Sequence, residues 1–179
     1  TGLAKCCKDR QPNTAPSRRK ARWVKGFYTG MADAHRKGGN MLVQTIMSRR
    51  VVALEMDDSL AEAEALFSAA PFHHALVMDE GHLVGVISDR DIWRALSPYL
   101  GSQSENQRDR DTLARRVHQV MSRQVITVTP QASLEAAAAL LLEHGISCLP
   151  VVEQERVVGI LTWRDLLRAL LPGIYPGRD

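Results

Sequence analysis

Lysine disappears from the chain after Lys37, cysteine occurs three times in 179 residues, and aromatic residues fill only 5% of positions. The cysteines offer no disulfide framework. Cys6 and Cys7 are adjacent in a polar tail and Cys148 stands alone in an apolar run, a usage that points to a reducing, cytoplasmic setting. No His or Cys stands at ligand spacing beside the Cys6–Cys7 pair, so no metal site is expected there. The longest apolar run, Ala136–Leu142, falls far short of the ~20 residues that cross a bilayer, which leaves a membrane out of the expected partners. The opening residues TGLAKCCKDRQPN lack the apolar core of a secretory signal and begin with Thr rather than Met, so the start reads as a fragment boundary.

Charge is unevenly spread. Residues 1–40 hold ten Lys or Arg against Asp9 and Asp33, a net of +8, which leaves about −5 for the remainder of a chain whose total is +3. That segment mixes Gly, Pro, Asn, Ser and basic residues with no sustained apolar period, so 1–40 is expected to be a disordered basic arm. Its cluster RRKARWVK, Arg18–Lys25, is the one feature that could touch nucleic acid, since phosphate attraction needs little more than clustered positive charge. Removing the arm should leave the stability of the body nearly unchanged, because it offers little apolar surface.

The organised pattern begins at Met41, and from residue 46 it repeats without a gap when 74 is added to each number. Ile46–Pro98 lies over Val120–Pro172 with about a third of the positions identical, far above chance for a register this long. Each copy reads as strand, helix, strand, strand, helix. A β-rich run (VVALE at Val51, VITVT at Val125) precedes a helix opened by Ser59 or Ser133. An apolar strand (HALVM at His74, CLPVV at Cys148), a tight polar turn and a second strand then lead into a closing helix. The resulting divisions are an arm at 1–40, repeat 1 at 41–100, a polar linker at 101–116 and repeat 2 at 117–174. Within TLARRVHQVM a short helix is expected to lead into the second copy.

The junction between second strand and closing helix occurs as GVISDRD at Gly85 and GILTWRD at Gly159. Ser88 and Thr162 suit helix N-caps, with Asp91 and Asp165 at the third helical position, so each junction reads as a capping box. Capping does not account for Gly85 and Gly159, which lie inside strands that glycine weakens unless a backbone or ligand comes close. The glycines therefore point to a site.

These linked motifs, MSRxV at Met47 and Met121, HGISCLPVV at His144, and G-h-h-[ST]-x-x-D followed by a Leu- and Ala-rich helix in both copies, resemble the tandem cystathionine-β-synthase (CBS) domain pair, or Bateman module. The resemblance covers residues 42–172. It implies an α/β (α+β) fold of two β-α-β-β-α repeats packed as a pseudo-twofold pair. It also implies a regulatory, non-enzymatic function: binding of an adenosine-containing ligand (AMP, ADP, ATP or S-adenosylmethionine) in clefts between the repeats, with no cofactor required. With no effector domain recognisable, the free-standing bacterial type is expected, acting on an unidentified regulated protein. Carried over by position, one cleft would set Asp165 and Thr162 opposite Val52, Phe72, His73 and His74. The other would set Asp91 and Ser88 opposite Ile126, Ile146, Ser147 and Cys148.

In that arrangement the Asp holds the ribose diol and the Ser or Thr meets ribose or phosphate, which is sensible because a carboxylate offers two acceptor oxygens near a positive helix N-terminus. The His pair would lend basic phosphate contacts to the Asp165 cleft, although adjacent strand residues point to opposite faces and at most one of the two should enter it. A metal site from this pair lacks completing ligands. Trp163 could flank a cleft, whereas Trp93 on the closing helix suits a core or dimer surface. A homodimer is expected through the closing helices near Ile92, Leu96, Leu166 and Leu170. No activated nucleophile, acid/base pair or metal set argues for an enzyme. The competing readings are an interaction or oligomerisation module with vestigial clefts, and nucleic-acid binding through the arm.

Overall fold

The apolar runs that recur in the hairpin of each repeat form strands because both of their faces are covered. The computed structural model describes residues 22–25, 41–69 and 71–171, the first of these segments as backbone alone. In repeat 1, β2 (Arg50–Glu55) lies parallel to β3 (His74–Asp79), and β3 pairs antiparallel with β4 (His82–Ser88). Two helices, α1 (Leu60–Ala69) and α2 (Asp89–Ala95), follow β2 and β4 respectively. Successive residues divide with the period of two that a strand dictates. Val52, Leu54, Ala75, Val77 and Ile87 enter the core shared with these helices, while Val51, Leu76 and Val86 meet the other repeat.

Repeat 2 follows the same plan with β5 (Cys148–Glu153), β6 (Arg156–Thr162), α4 (Leu134–Glu143) and α5 (Trp163–Leu170). Helix α4 is capped by Ser133, whose side chain accepts from the Ala136 amide, and the chain leaves it through Gly145 at φ 61°. Both hairpins turn on two left-handed residues, Glu80–Gly81 and Gln154–Glu155.

Four elements depart from the sequence reading, the last of them in the arm expected to be disordered. The run VITVT makes only one parallel bridge, Val128 to Val151, instead of a full strand. Pro150 stands where repeat 1 has Leu76 and has no amide to donate, so the ladder that runs through Ala53 and Leu76 stops at its counterpart. The segment TLARRVHQVM forms two 3-10 turns, at 112–114 and 117–119, rather than one helix. Arg115 and Arg116 are held extended between them, as the Leu60 amide donates to the Arg115 carbonyl. The linker also contains a short helix, α3 (Gln107–Asp111), capped by Asn106 and tied to repeat 1 by Ser97 Oγ donating to the buried Asp109 at 2.6 Å.

Within the basic arm, Arg22–Lys25 forms β1 and pairs antiparallel along β2, Arg22 opposite Ala53 and Lys25 opposite Arg50. Its pairing satisfies backbone groups on the free edge of β2, a long-range gain that local composition does not register. The remainder of 1–40, with Cys6 and Cys7, lies outside the described residues.

The repeats are reciprocally completed. Val43 and Met47 join the core of repeat 2, and Val117 and Met121 join the core of repeat 1. The bonds obey the 74-residue offset: the Val43 amide donates to the Ala132 carbonyl at 2.9 Å and the Val117 amide to the Asp58 carbonyl at 2.9 Å. Just beyond, Ser48 and Ile160 exchange two backbone bonds at 2.9 Å each, matched by Ser122 and Val86 at 2.9 and 3.0 Å.

This exchange explains Gly85 and Gly159: of the backbone or ligand expected to come close, it is the other repeat's chain that does, so the glycines do not themselves point to a site. A Cβ on Gly85 would fall 2.5 Å from Met121 Sδ and 3.0 Å from the Ser122 carbonyl oxygen. One on Gly159 would fall 2.7 Å from Met47 Sδ and 3.0 Å from the Ser48 carbonyl oxygen. The glycines make room for the other repeat. Gly85→Ala should accordingly cost about 1–3 kcal/mol in denaturant unfolding, the range for overpacking. Adding Met121→Ala should restore only part of it, because the Ser122 carbonyl belongs to a bridge that cannot move aside. An unchanged unfolding midpoint in Gly85→Ala contradicts the packing account.

Candidate functional site

The N-termini of α2 and α5 flank the seam between the repeats, because the strands that lead into them are fixed by register. Ser88 lies opposite His74 in the β3–β4 pair, and Thr162 lies opposite Cys148 in the β5–β6 pair. The Asp89 amide donates to the His73 carbonyl and the Trp163 amide to the Ser147 carbonyl, which holds each helix start against the first strand of its own hairpin.

Each motif carboxylate is already engaged through one oxygen. The Ser88 amide and hydroxyl donate to Asp91 Oδ2 at 2.9 and 2.6 Å, and the Asp91 amide donates back to Ser88 Oγ at 3.3 Å. The Thr162 amide and hydroxyl likewise donate to Asp165 Oδ2 at 2.9 and 2.6 Å. A second partner therefore has to use Oδ1. Asp91 Oδ1 has no bonded partner among the described residues, whereas Asp165 Oδ1 accepts from Arg168 Nη1 at 3.0 Å.

Of the two adjacent histidines, His74 alone reaches across the seam. Its Nε2 lies 2.7 Å from Ser147 Oγ, a hydrogen bond between the repeats. Burial lowers the pKa of His74 below its usual 6.5; the charges of His73 and Arg164 act in the same direction, against Asp89 and Asp91. The imidazole is thus held neutral at the seam. His73 points the other way: its Nδ1 sits 2.6 Å from Asp89 Oδ2 on the helical face of repeat 1. There it joins Phe72 in lining a cavity of about 200 Å³ with Phe67, Asp89 and Trp93, and Phe72 packs on Phe67 with ring centroids 5.2 Å apart.

The other residues singled out from sequence divide between seam and core. Cys148 is buried in the seam, and burial followed by the Asp91 charge pushes its thiol up to about 12, which makes it a packing group and not a nucleophile. Val52 belongs to the repeat 1 core, while Ile126 and Ile146 pack against that of repeat 2. Asp91 is thereby associated with Cys148 from the facing repeat, and Ser147 with His74.

Arg164 and Arg168 were not foreseen, nor was the contact of Asp89 with His73. Arg164 lies 5.4 Å from the Trp163 ring centroid and bears electrostatically on His74. Arg164 and Asp89 fill variable positions of the junction, and Arg168 lies one helical turn beyond it on α5. Among the described residues no cluster of three or more His, Cys, Asp or Glu could hold a metal, and no helix is long and apolar enough to cross a membrane.

Comparison with known proteins gives this geometry a family context. The CBS domain family pattern matches residues 43–97 and 117–172. A CBS domain-containing protein of Dictyostelium discoideum is 30% identical over 139 residues, covering 76% of this chain and 95% of that protein. An L-aspartate semialdehyde sulfurtransferase of Methanosarcina acetivorans is 30% identical over 131 residues, 72% of this chain but 24% of the enzyme. The crystal structure of the CBS domain pair of protein MJ0100, in complex with 5′-methylthioadenosine and S-adenosyl-L-methionine, superposes with a TM-score of 0.61 at 28% identity, covering 76% of this chain and all of that one.

A neutral, half-buried His74 sets a sign for the pH dependence. The unfolded chain takes up a proton on this side chain as pH falls through 6.5, while the native seam resists until its own lower pKa is reached. Stability is therefore lost on acidification below about 6.5 and is fully present above it. His74→Gln, which retains a polar partner for Ser147, should show a smaller fall in melting temperature between pH 7 and pH 5 than the parent. Equal falls in the two proteins refute a neutral histidine at the seam.

Proposed function

The chain belongs to the CBS domain family, and on that premise we propose that it is a regulatory sensor of an adenosine-containing ligand bound between its two repeats. The observation that carries this reading is the placement of two carboxylates, Asp91 and Asp165, at helix N-termini beside the seam. A vicinal ribose diol donates two hydrogen bonds, and a carboxylate oxygen at a helix start is a strong acceptor for them. The ligand-bound MJ0100 domain pair supports the ligand class. AMP, ADP, ATP and S-adenosylmethionine share that diol and are the candidates. In this proposal Ser88 and Thr162 orient the carboxylates, and Ser147, Cys148 and His74 form the facing wall.

Occupancy would act by changing the angle between the repeats, which requires the ligand to bind one angle better than another. We assign no catalytic role to the chain, since its likeness to the sulfurtransferase extends over only a quarter of that enzyme. A cytoplasmic setting accords with the cysteine usage, and the regulated protein is a macromolecule still to be identified. Nucleic-acid binding by the arm is the weaker reading, with only the basic cluster Arg18–Lys25 behind it.

The second reading, an association module, draws on a different observation. Trp163, Leu167 and Leu170 are exposed on α5, and Trp93 is exposed on α2, with Leu170 75% and Trp93 67% accessible. Of the residues expected at a dimer surface Leu170 and Trp93 are exposed, whereas Ile92 is buried and Leu96 and Leu166 pack inward; Trp163 and Leu167 take their place. We propose that two copies join through these helices and that dimerisation and ligand sensing coexist.

A thermal-shift panel separates the functions. An adenosyl compound at 100 times its dissociation constant should stabilise the fold by about 2.7 kcal/mol. No shift with any of AMP, ADP, ATP or S-adenosylmethionine overturns the sensor reading. For the association surface, light scattering should report a dimer for the parent and a monomer for Leu170→Glu; a monomeric parent overturns it.

A further inference from the structure

The two motif carboxylates are not equivalent, although their sequences match under the 74-residue offset. Both spend Oδ2 on the helix cap. At Asp165 the remaining oxygen, Oδ1, is held at 3.0 Å by Arg168, one helical turn further along α5. The counterpart of Arg168 in repeat 1 is Arg94, which is exposed and makes no bond to Asp91 among the described residues. One carboxylate is open and the other is closed by a cation from its own helix.

Resting on the adenosyl reading above, we propose that Arg168 is a specificity-determining residue that ranks the two clefts, so that a ribose diol is taken first at Asp91 and at Asp165 only once the guanidinium has swung away. This order reverses the one expected from the His pair, which would have favoured the Asp165 cleft. His73 is committed to Asp89 and His74 to Ser147, so neither histidine offsets the Arg168 pair.

The strength of the pair bounds the effect. Arg168 is 38% exposed and Asp165 16%, a partly solvated i, i+3 pair of the kind that contributes a fraction of a kcal/mol to about one. Displacing it therefore weakens the Asp165 cleft by roughly two- to fivefold, a ranking and not an exclusion. Any ligand carrying the diol meets this handicap, whether or not it bears a phosphate.

Calorimetric titration of variants of the 179-residue chain with 5′-methylthioadenosine, which has the diol and no phosphate, and with AMP tests the proposal. In the parent the tighter site should be weakened at least about tenfold by Asp91→Asn, as expected for loss of a charge-assisted acceptor. In the Asp91→Asn background only the Asp165 cleft remains, and adding Arg168→Met should tighten it two- to fivefold for both compounds. In the Asp165→Asn background the same change should leave affinity unaltered. Melting temperatures of all variants verify folding. If Arg168→Met weakens AMP at the Asp165 cleft, Arg168 is a phosphate contact and the ranking role is wrong. If Asp165→Asn removes the tighter site, or Arg168→Met is silent in both backgrounds, the proposal falls while the sensor reading stands. A parent that binds neither compound, nor S-adenosylmethionine, overturns both.

Discussion

The paired backbone bridges between Ser48 and Ile160 and between Ser122 and Val86 determine how the rest of the molecule is arranged. Each joins the start of one repeat to the second strand of the other, and each runs past a glycine whose missing side chain leaves room for a methionine. Neither repeat closes its core alone. Val43 and Met47 are needed by repeat 2, and Val117 and Met121 by repeat 1, so burial of apolar surface and the pairing of backbone groups are satisfied only when both copies are present. Unfolding of one repeat should thus expose the core of the other, which favours a single cooperative transition.

The seam produced by this exchange is both an apolar interface and a row of polar groups. Val51, Leu76, Cys148 and Ile160 fill its interior, and His74 and Ser147 meet at its edge beside the starts of α2 and α5. A ligand bound at the edge touches the elements that set the angle between repeats, so a small difference in contact energy can shift that angle. A neutral His74 also keeps an uncompensated positive charge out of the seam.

Patterns carried by neighbouring residues were legible in the sequence. The 74-residue offset, the hairpins and the caps at Ser88, Ser133 and Thr162 depend on local chemistry and stand in the structure. Pro150 also carried its warning in its covalent form. What escaped were interactions whose partners lie far apart in sequence or depend on a rotamer. Gly85 announces a close approach without naming what approaches. Pairing of β1 with β2 joins segments separated by a long stretch of chain. The Arg168–Asp165 bond has the same spacing as the absent Arg94–Asp91 bond, so spacing alone could not distinguish the two clefts.

The most direct measurement of the central claim is a crystal structure of the chain grown with AMP. Adenosine should lie in the seam between the repeats, its ribose diol within hydrogen-bond distance of Asp91 Oδ1 and its surroundings drawn from both copies. An AMP molecule seated in the helix-lined cavity by Phe67 and Trp93, or one whose ribose meets neither Asp91 nor Asp165, would contradict the account.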